Sequence, residues 1–172
     1  MFREACRREL TILRRAFNNW GVFDFFLEKT ILLKEGHHKS IEVYLLSSGL
    51  ELTILSKQPN YAGLKIGELK KNFLPSMEGA DLIARVSKKF PHIIVDEIAE
   101  KLILYGRSVL GQSIVGGTEN LNENQIILLL NRNREPVGIG RTKFSGKYLF
   151  QINIDTVTTL IDAGHYLRSE GQ

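Results

Sequence analysis

The chain has 172 residues, of which 43% are hydrophobic and 24% charged, with a net charge of +4. This balance is typical of a globular protein with a buried core, and it excludes a largely disordered chain. No apolar run approaches the roughly 20 residues that cross a bilayer, and no secretory signal follows Met1. The single cysteine, Cys6, cannot form an internal disulfide, which fits a reducing interior. We therefore expect a cytoplasmic protein without a membrane partner.

The first predicted element is an amphipathic helix from Arg3 to Trp20. Its apolar residues recur at spacings of four and three on one stripe: Cys6, Leu10, Leu13, Phe17 and Trp20. Five arginines fall on the opposite arc: Arg3, Arg7, Arg8, Arg14 and Arg15. A solvated face is favoured for these arginines over a phosphate-binding face. On the apolar stripe, Cys6 is expected to be a small buried hydrophobe.

Strands and helices are mixed in the rest of the N-terminal half. The predictions are strands at Phe23–Leu33, Ile41–Leu46 and Gly63–Leu69, and helices at Ser48–Leu55 and Met77–Lys89. His37-His38 lies at the predicted tip between the first two strands, where adjacent side chains point apart. A surface pair is favoured there over a metal site.

Beyond Pro91 the chain changes to short strands separated by turns rich in Gly, Asn and Arg. Strands are predicted at Ile93–Val95, Lys101–Tyr105, Gln125–Leu130, Val137–Arg141 and Tyr148–Ile152, with short helices at Gly106–Gly111 and Asp155–Leu160. This pattern indicates a small barrel or sandwich. The sequence therefore predicts an α+β protein with an N-terminal antiparallel α/β domain at 1–91 and a β-rich domain at 92–172.

Catalytic signatures are largely missing from the sequence. No phosphate-binding loop of the Gly-x4-Gly-Lys type is present, and Gly138-Ile139-Gly140 lacks the third glycine of a dinucleotide fingerprint. The carboxylates Asp96, Glu97 and Glu100 have no accompanying nucleophile, so a solvated turn is favoured. We expect no enzymatic activity, no cofactor and no metal.

Basic residues are concentrated between positions 132 and 147. Five cations stand there against one acid, Glu135: Arg132, Arg134, Arg141, Lys143 and Lys147. Cations gathered at a strand end and its turn can contact successive phosphates. Net charge alone would place an RNA site on the N-terminal half, because residues 1–91 carry 15 basic and 10 acidic side chains and residues 92–172 carry 8 and 9. The local cluster is therefore the observation that points to the C-terminal half. Nearby Phe144 and Tyr148 could stack on unpaired bases, or point inward as core.

Four motifs in the C-terminal half are similar to those of a known family. They are Leu104-Tyr105-Gly106-Arg107-Ser108-Val109-Leu110, Thr118-Glu119-Asn120, Pro136-Val137-Gly138-Ile139-Gly140, and Asp162-Ala163-Gly164-His165-Tyr166-Leu167-Arg168-Ser169-Glu170. The set resembles the large-ribosomal-subunit biogenesis factors shared by archaea and eukaryotes, originally named as the seventh nuclear-import protein. The short basic turn is closer to archaeal members. The resemblance implies a pre-PUA domain at 1–91 and a PUA-type β-barrel at 92–172.

The resemblance also implies a function. It implies RNA binding through a basic PUA edge, in pre-rRNA processing and large-subunit assembly, with a preference for uridine-rich single strands. Arg141 follows the Gly-x-Gly strand as the family's basic positions do, and Lys143 and Lys147 share its turn. Arg107 joins the expected RNA surface with Arg132 and Arg134, while residues 1–91 contact ribosome-assembly or exosome proteins. The alternatives are an accessory subunit of a tRNA- or rRNA-modifying enzyme and a PUA-type translation factor.

Overall fold

The computed structural model describes residues 1–36, 40–165 and 168, so the pair His37-His38 lies outside the described residues. The chain divides into two compact units, Met1–Lys89 and Phe90–Gln172. Each unit combines a sheet with helices, which confirms the α+β prediction. None of the described helices is long and apolar enough to span a membrane.

The N-terminal unit is built on a five-stranded antiparallel sheet in the order β1-β2-β3-β4-β5. The strands are β1 (Phe2–Arg3), β2 (Thr30–Glu35), β3 (Ile41–Leu46), β4 (Leu64–Leu69) and β5 (Phe73–Pro75), and the helices are α1 (Arg7–Asn19), α2 (Phe23–Leu27), α3 (Glu51–Lys57) and α4 (Met77–Val86). Successive residues of a strand point to opposite faces, and both Leu32 and Leu33 are buried. The sheet is therefore covered on both sides.

Helix α1 begins at Arg7 rather than at Arg3 because Phe2 and Arg3 form an edge strand paired with β2. The Arg3 guanidinium donates two hydrogen bonds to the Glu9 carboxylate, at 2.7 and 2.8 Å. Glu9 also accepts from the Cys6 backbone N–H at 2.8 Å, as in half of a capping box. The predicted burial of Cys6 is wrong, since it caps the helix and is exposed. Leu10 is also half exposed.

The other residues of the predicted stripe, Leu13, Phe17 and Trp20, are buried as expected. The Phe17 ring stacks on Phe26 of α2 at a centroid distance of 4.2 Å. Because α2 occupies the start of the predicted strand Phe23–Leu33, the true strand begins only at Thr30. Aromatic packing against α1 overrides the strand propensity of this segment.

Helix α4 lies unusually close to β4. Ser76 caps the helix by accepting a hydrogen bond from the Gly79 N–H at 3.1 Å, and its own hydroxyl donates to the Lys65 carbonyl at 2.8 Å. A Cβ at Gly79 would stand 1.9 Å from the carbonyl oxygen of Ile66. Glycine at this position is therefore a requirement of helix-to-strand packing.

The C-terminal unit is a six-stranded mixed sheet, in the order β7-β11-β10-β9-β6-β8, which curls into a nearly closed barrel. Its strands are β6 (His92–Val95), β7 (Val109–Leu110), β8 (Ile114–Gly117), β9 (Ile126–Leu130), β10 (Pro136–Thr142) and β11 (Asp155–Asp162). Among the described residues, this unit also contains helix α5 (Glu97–Ile103) and 3-10 turns at Gly111–Ser113 and Gly146–Phe150. Strands β6 and β9 are parallel, and the other pairs are antiparallel. An apolar cluster that includes Ile103, Leu129 and Val157 fills the barrel.

Several element predictions in this unit are wrong. The predicted strand Lys101–Tyr105 belongs to α5 and its C-terminal turn, because the Asp96 carboxylate caps that helix by accepting from the Ala99 N–H at 2.8 Å. The predicted helix Asp155–Leu160 is strand β11, which its β-branched residues favour. The predicted strand Tyr148–Ile152 starts within a 3-10 turn, and Gly106–Gly111 contains β7 instead of a helix.

We predict that Gly79→Ala lowers the free energy of unfolding by about 3 kcal/mol, because the added methyl group overlaps the Ile66 carbonyl. The measurement is urea denaturation followed by circular dichroism. Asp81→Ala, at an exposed position of the same helix, is the control and should change stability by less than about 0.5 kcal/mol. An equally stable Gly79→Ala protein would show that α4 does not pack on β4 in this way.

The Arg3–Glu9 pair predicts a pH-dependent contribution to stability. The hydrogen-bonded Arg3 guanidinium lowers the pKa of Glu9 from 4.5 to about 2. The stabilisation is therefore complete above pH 4.5 and disappears as the pH falls towards 2. Glu9→Gln should cost about 2 kcal/mol at pH 7, and this difference should shrink in acid. Urea titrations between pH 7 and pH 3 measure it, with exposed Glu4→Gln as the control; a difference independent of pH would contradict this assignment.

Candidate nucleic-acid interface

The end of strand β10 carries two cations on its outer face. Arg141 is exposed and lies opposite Thr158 of β11 and Ile126 of β9. The next residue, Thr142, is buried, and its hydroxyl donates to the Asn122 carbonyl at 2.6 Å. Because side chains alternate along a strand, Arg141 and Lys143 lie on the same side, about 7 Å apart along the chain. The threonine between them therefore faces the barrel and does not interrupt the basic surface.

Lys143 has a nearby acid but is only weakly neutralised. Its Nζ lies 4.0 Å from the Asp155 carboxylate, and the two side chains are 40% and 51% exposed. An exposed pair at this distance contributes little and exchanges readily for another anion. The backbone N–H of Lys143 donates to the Thr156 carbonyl at 2.8 Å, which fixes its position beside β11.

Lys147 lies at the same end of the barrel, on the 3-10 turn that follows β10. The Gly146 N–H donates to the Leu121 carbonyl at 2.9 Å, and Leu149 is buried in the core. The Lys147 Nζ stands 5.6 Å from the centre of the Tyr148 ring. Within the described residues, neither Arg141 nor Lys147 has an acidic group within salt-bridge distance. We call Arg141, Lys143 and Lys147 the barrel-end cations.

The charge at this end is only moderately positive. Asp155 begins β11, and exposed Glu123 lies in the loop whose Asn124 N–H bonds the Thr142 carbonyl at 2.9 Å. Three cations and two acids thus share the end of the barrel. A polyanion that binds there gains some affinity from phosphate contacts, and it needs other contacts as well.

Arg107 lies two strands away from β10, across β11. Its carbonyl accepts a hydrogen bond from the Thr159 hydroxyl at 2.7 Å, and Thr159 is paired with Gly140. The backbones at Arg107 and Gly140 are therefore separated by about 10 Å, or two strand spacings. The exposed Arg107 side chain belongs to the same part of the sheet as Arg141.

Gly106 ends a helix and does not begin one. Its φ is +74°, its N–H bonds the Ile103 carbonyl at 2.7 Å, and the Arg107 N–H bonds the Leu102 carbonyl at 3.0 Å. This is the hydrogen-bond pattern of a Schellman cap at a helix C-terminus. Gly106 therefore forms a turn with positive φ, and it is not a helix N-terminus that offers amides to phosphate.

Arg132 and Arg134 lie at the opposite end of β10 from the barrel-end cations. Both are in the turn between β9 and β10, where Asn131 accepts from the backbone N–H groups of Asn133 and Glu135 at 3.0 Å each. An Arg134 guanidinium nitrogen is 3.5 Å from His92 Nε2. The length of β10 separates this turn from Lys143 by about 25 Å. The six predicted site residues therefore form two groups. One contains Arg107 and the barrel-end cations, and the other contains Arg132 and Arg134.

The glycines before Arg141 serve the packing of the barrel. A Cβ at Gly138 would stand 2.9 Å from the Ile161 carbonyl oxygen, and one at Gly140 would stand 2.7 Å from a Val157 methyl group. A glycine in a strand lets either backbone or a ligand approach closely, and here the close neighbours are the barrel's own strands. These glycines hold β10 in the register that exposes Arg141.

The C-terminal motif contains an ion pair that the sequence analysis did not predict. Arg168 donates to both oxygens of buried Asp162, at 2.8 and 3.0 Å, and also to the Leu104 carbonyl. The signal that could have predicted this ion pair is the presence of an acid and a base, Asp162 and Arg168, within one family-like motif. These residues tie the end of β11 to the turn after α5, whereas the rest of the motif after His165 lies partly outside the described residues.

Comparison with known proteins agrees with this architecture. A profile described as the NIP7/UPF0113 pre-PUA domain matches residues 2–77, and one described as the UPF0113 PUA domain matches residues 91–171. A solved hypothetical protein from Pyrococcus horikoshii OT3 has a similar fold over 100% of both chains, with a TM-score of 0.74 and 15% identity. A conserved PUA domain protein from Thermoplasma acidophilum gives a TM-score of 0.70 at 12% identity, over 98% of this chain and 99% of that one.

Sequence similarity to one curated relative is much higher. The UPF0113 protein of Archaeoglobus fulgidus is 37% identical over 171 residues, which cover 98% of this chain and 95% of that protein. This relative and the two matching profiles confirm the resemblance inferred from the C-terminal motifs and the PUA-type barrel that it implied. The chain belongs to the NIP7/UPF0113 family of PUA-domain proteins.

Proposed function

We propose that this protein is a non-catalytic RNA-binding factor that holds single-stranded, uridine-rich RNA at the end of its PUA barrel. The observation that carries the proposal is the placement of Arg141, Lys143 and Lys147 at one end of the barrel, each exposed. Family membership supports the same conclusion, because a PUA domain in this family suggests RNA binding. Phosphates contact the barrel-end cations, and Arg107 extends the basic surface across β11.

The rigidity of the site supports its use in binding. Thr142 is fixed by bonds to Asn122 and Gln125, and Lys143 is fixed by a backbone bond to β11. The flexible basic side chains thus extend from backbone positions that need no ordering when a ligand binds. A preformed backbone reduces the entropic cost of association.

The cellular role that we propose is pre-rRNA processing during large-subunit assembly. The motifs that resemble those of large-ribosomal-subunit biogenesis factors support this role, and the family assignment is consistent with it. Protein partners in ribosome assembly, or in the exosome, would then contact the N-terminal unit. Its α1 arginines Arg7, Arg8, Arg14 and Arg15 are exposed and available to such a partner.

We predict that the triple variant Arg141→Ala, Lys143→Ala, Lys147→Ala binds a uridine-rich single strand more weakly. Its plot of log affinity against log salt concentration should be shallower by up to about 2, or about 0.7 for each lost phosphate contact. Fluorescence anisotropy across a salt series measures both quantities. The matched control is Arg7→Ala, Arg8→Ala, Arg15→Ala, which removes the same charge from α1. If the control variant loses binding and the barrel-end variant does not, the RNA site lies on the N-terminal unit.

We also predict which RNA accompanies the protein in cells. Cross-linked RNA recovered with the tagged protein should be enriched in precursor large-subunit rRNA, and the barrel-end triple variant should recover less of it. Sequencing of the recovered RNA measures the enrichment. Recovery of transfer RNA instead would contradict the ribosome-assembly role and favour a modifying-enzyme subunit or a translation factor.

A further inference from the structure

Two aromatic side chains next to the barrel-end cations are exposed to solvent. Tyr148 is 56% exposed and Phe150 is 53% exposed, while Leu149 between them is 2% exposed and packs in the barrel. The buried leucine anchors the turn and leaves its two aromatic neighbours outside. Large apolar side chains exposed on one turn beside cations make this turn a candidate binding surface.

The backbone that carries these aromatic residues is fixed in place. The carbonyl oxygens of Leu149 and Gln151 would lie 2.5 and 2.4 Å from a Cβ at Gly111, so the two segments touch where glycine leaves room. The Gly146 N–H bond to Leu121 holds the other end of the turn. Tyr148 and Phe150 are thus presented from a preformed support, which lowers the cost of ordering them on binding.

The geometry of the turn places cation and rings together. A 3-10 turn has three residues per turn, so Lys147 and Phe150 share one side and Tyr148 lies a third of a turn away. The Lys147 ammonium is 5.6 Å from the centre of the Tyr148 ring. Proteins that bind single strands combine phosphate-contacting cations with aromatic faces on which bases stack.

We propose that Tyr148 and Phe150 form a stacking platform for unpaired bases of the strand whose phosphates contact the barrel-end cations. The inference rests on the proposed function and adds the source of base contacts. The cations beside the rings favour a nucleic acid over an apolar protein segment as the occupant. Phe144, the other aromatic residue considered from the sequence, packs against the barrel core and is not part of the platform.

The test is a comparison of wild type with Tyr148→Leu, Phe150→Leu, which keeps apolar surface but removes the aromatic faces. The probe is a uridine-rich single strand that contains one 2-aminopurine, together with the same strand carrying abasic sites. We expect the variant to bind the intact strand about 10-fold more weakly, since it loses the stacking of bases on the aromatic faces. The salt dependence should be unchanged, the abasic strand should bind both proteins equally, and only wild type should quench 2-aminopurine.

Exposed Ile152→Ala is the control for loss of apolar surface and should bind as wild type does; thermal melting establishes that each variant is folded. Unchanged affinity and quenching in the leucine variant would overturn the stacking platform. That result would favour a protein-docking surface instead. An equal loss of affinity for intact and abasic strands would also overturn the platform. The proposed function stands in either case if the barrel-end triple variant still weakens binding, and it fails if wild type binds neither strand.

Discussion

The packing of β10 between β9 and β11 is the constraint on which the candidate site depends. Gly138 and Gly140 bring β10 so close to its neighbours that a methyl group at either position would collide with Ile161 or Val157. This contact fixes which residues face the barrel. Thr142 therefore points inward to bond the loop at Asn122, and the alternating positions present Arg141 and Lys143 on the outside.

The motifs that reveal the family mainly stabilise the fold, and the proposed RNA contacts other than Arg107 lie between them. Gly106 ends α5, the two glycines of β10 allow close strand packing, and Asp162 is paired with Arg168. Lys143 and Lys147 belong to none of these motifs. Similarity in the motifs therefore identifies the barrel, whereas the strength of RNA binding depends on the side chains that a particular chain places on its basic turn.

Sequence patterns predicted the features that depend on local chemistry. Hydrophobic patterning predicted the buried residues Leu13 and Phe17 and the strands β9 and β10. It also predicted the change to short strands beyond Pro91. The basic cluster could also be found, but its division into two ends of β10 could not. Spacing along the chain does not show that a hairpin turn puts Arg132 and Arg134 about 25 Å from Lys143.

Several of the errors arose where a capping or tertiary interaction outweighed an apolar pattern. Lys101–Tyr105 is a short, mostly apolar run of the kind that also occurs in buried strands, yet the cap at Asp96 and the positive φ of Gly106 make it the end of a helix. The two residues responsible, a capping aspartate and a glycine, are both readable in the sequence. Arg3 was different, because its removal from α1 depends on pairing with Leu33, thirty residues away, and on the bond to Glu9. No local pattern contains that information.

The most direct test of the central claim is photo-cross-linking of the full chain to a uridine-rich strand, followed by mass spectrometry of the cross-linked peptides. The account predicts that the dominant cross-links fall within residues 141–150, which carry the barrel-end cations and the exposed aromatic residues. Cross-links confined to α1, or to the turn that holds Arg132 and Arg134, would contradict it.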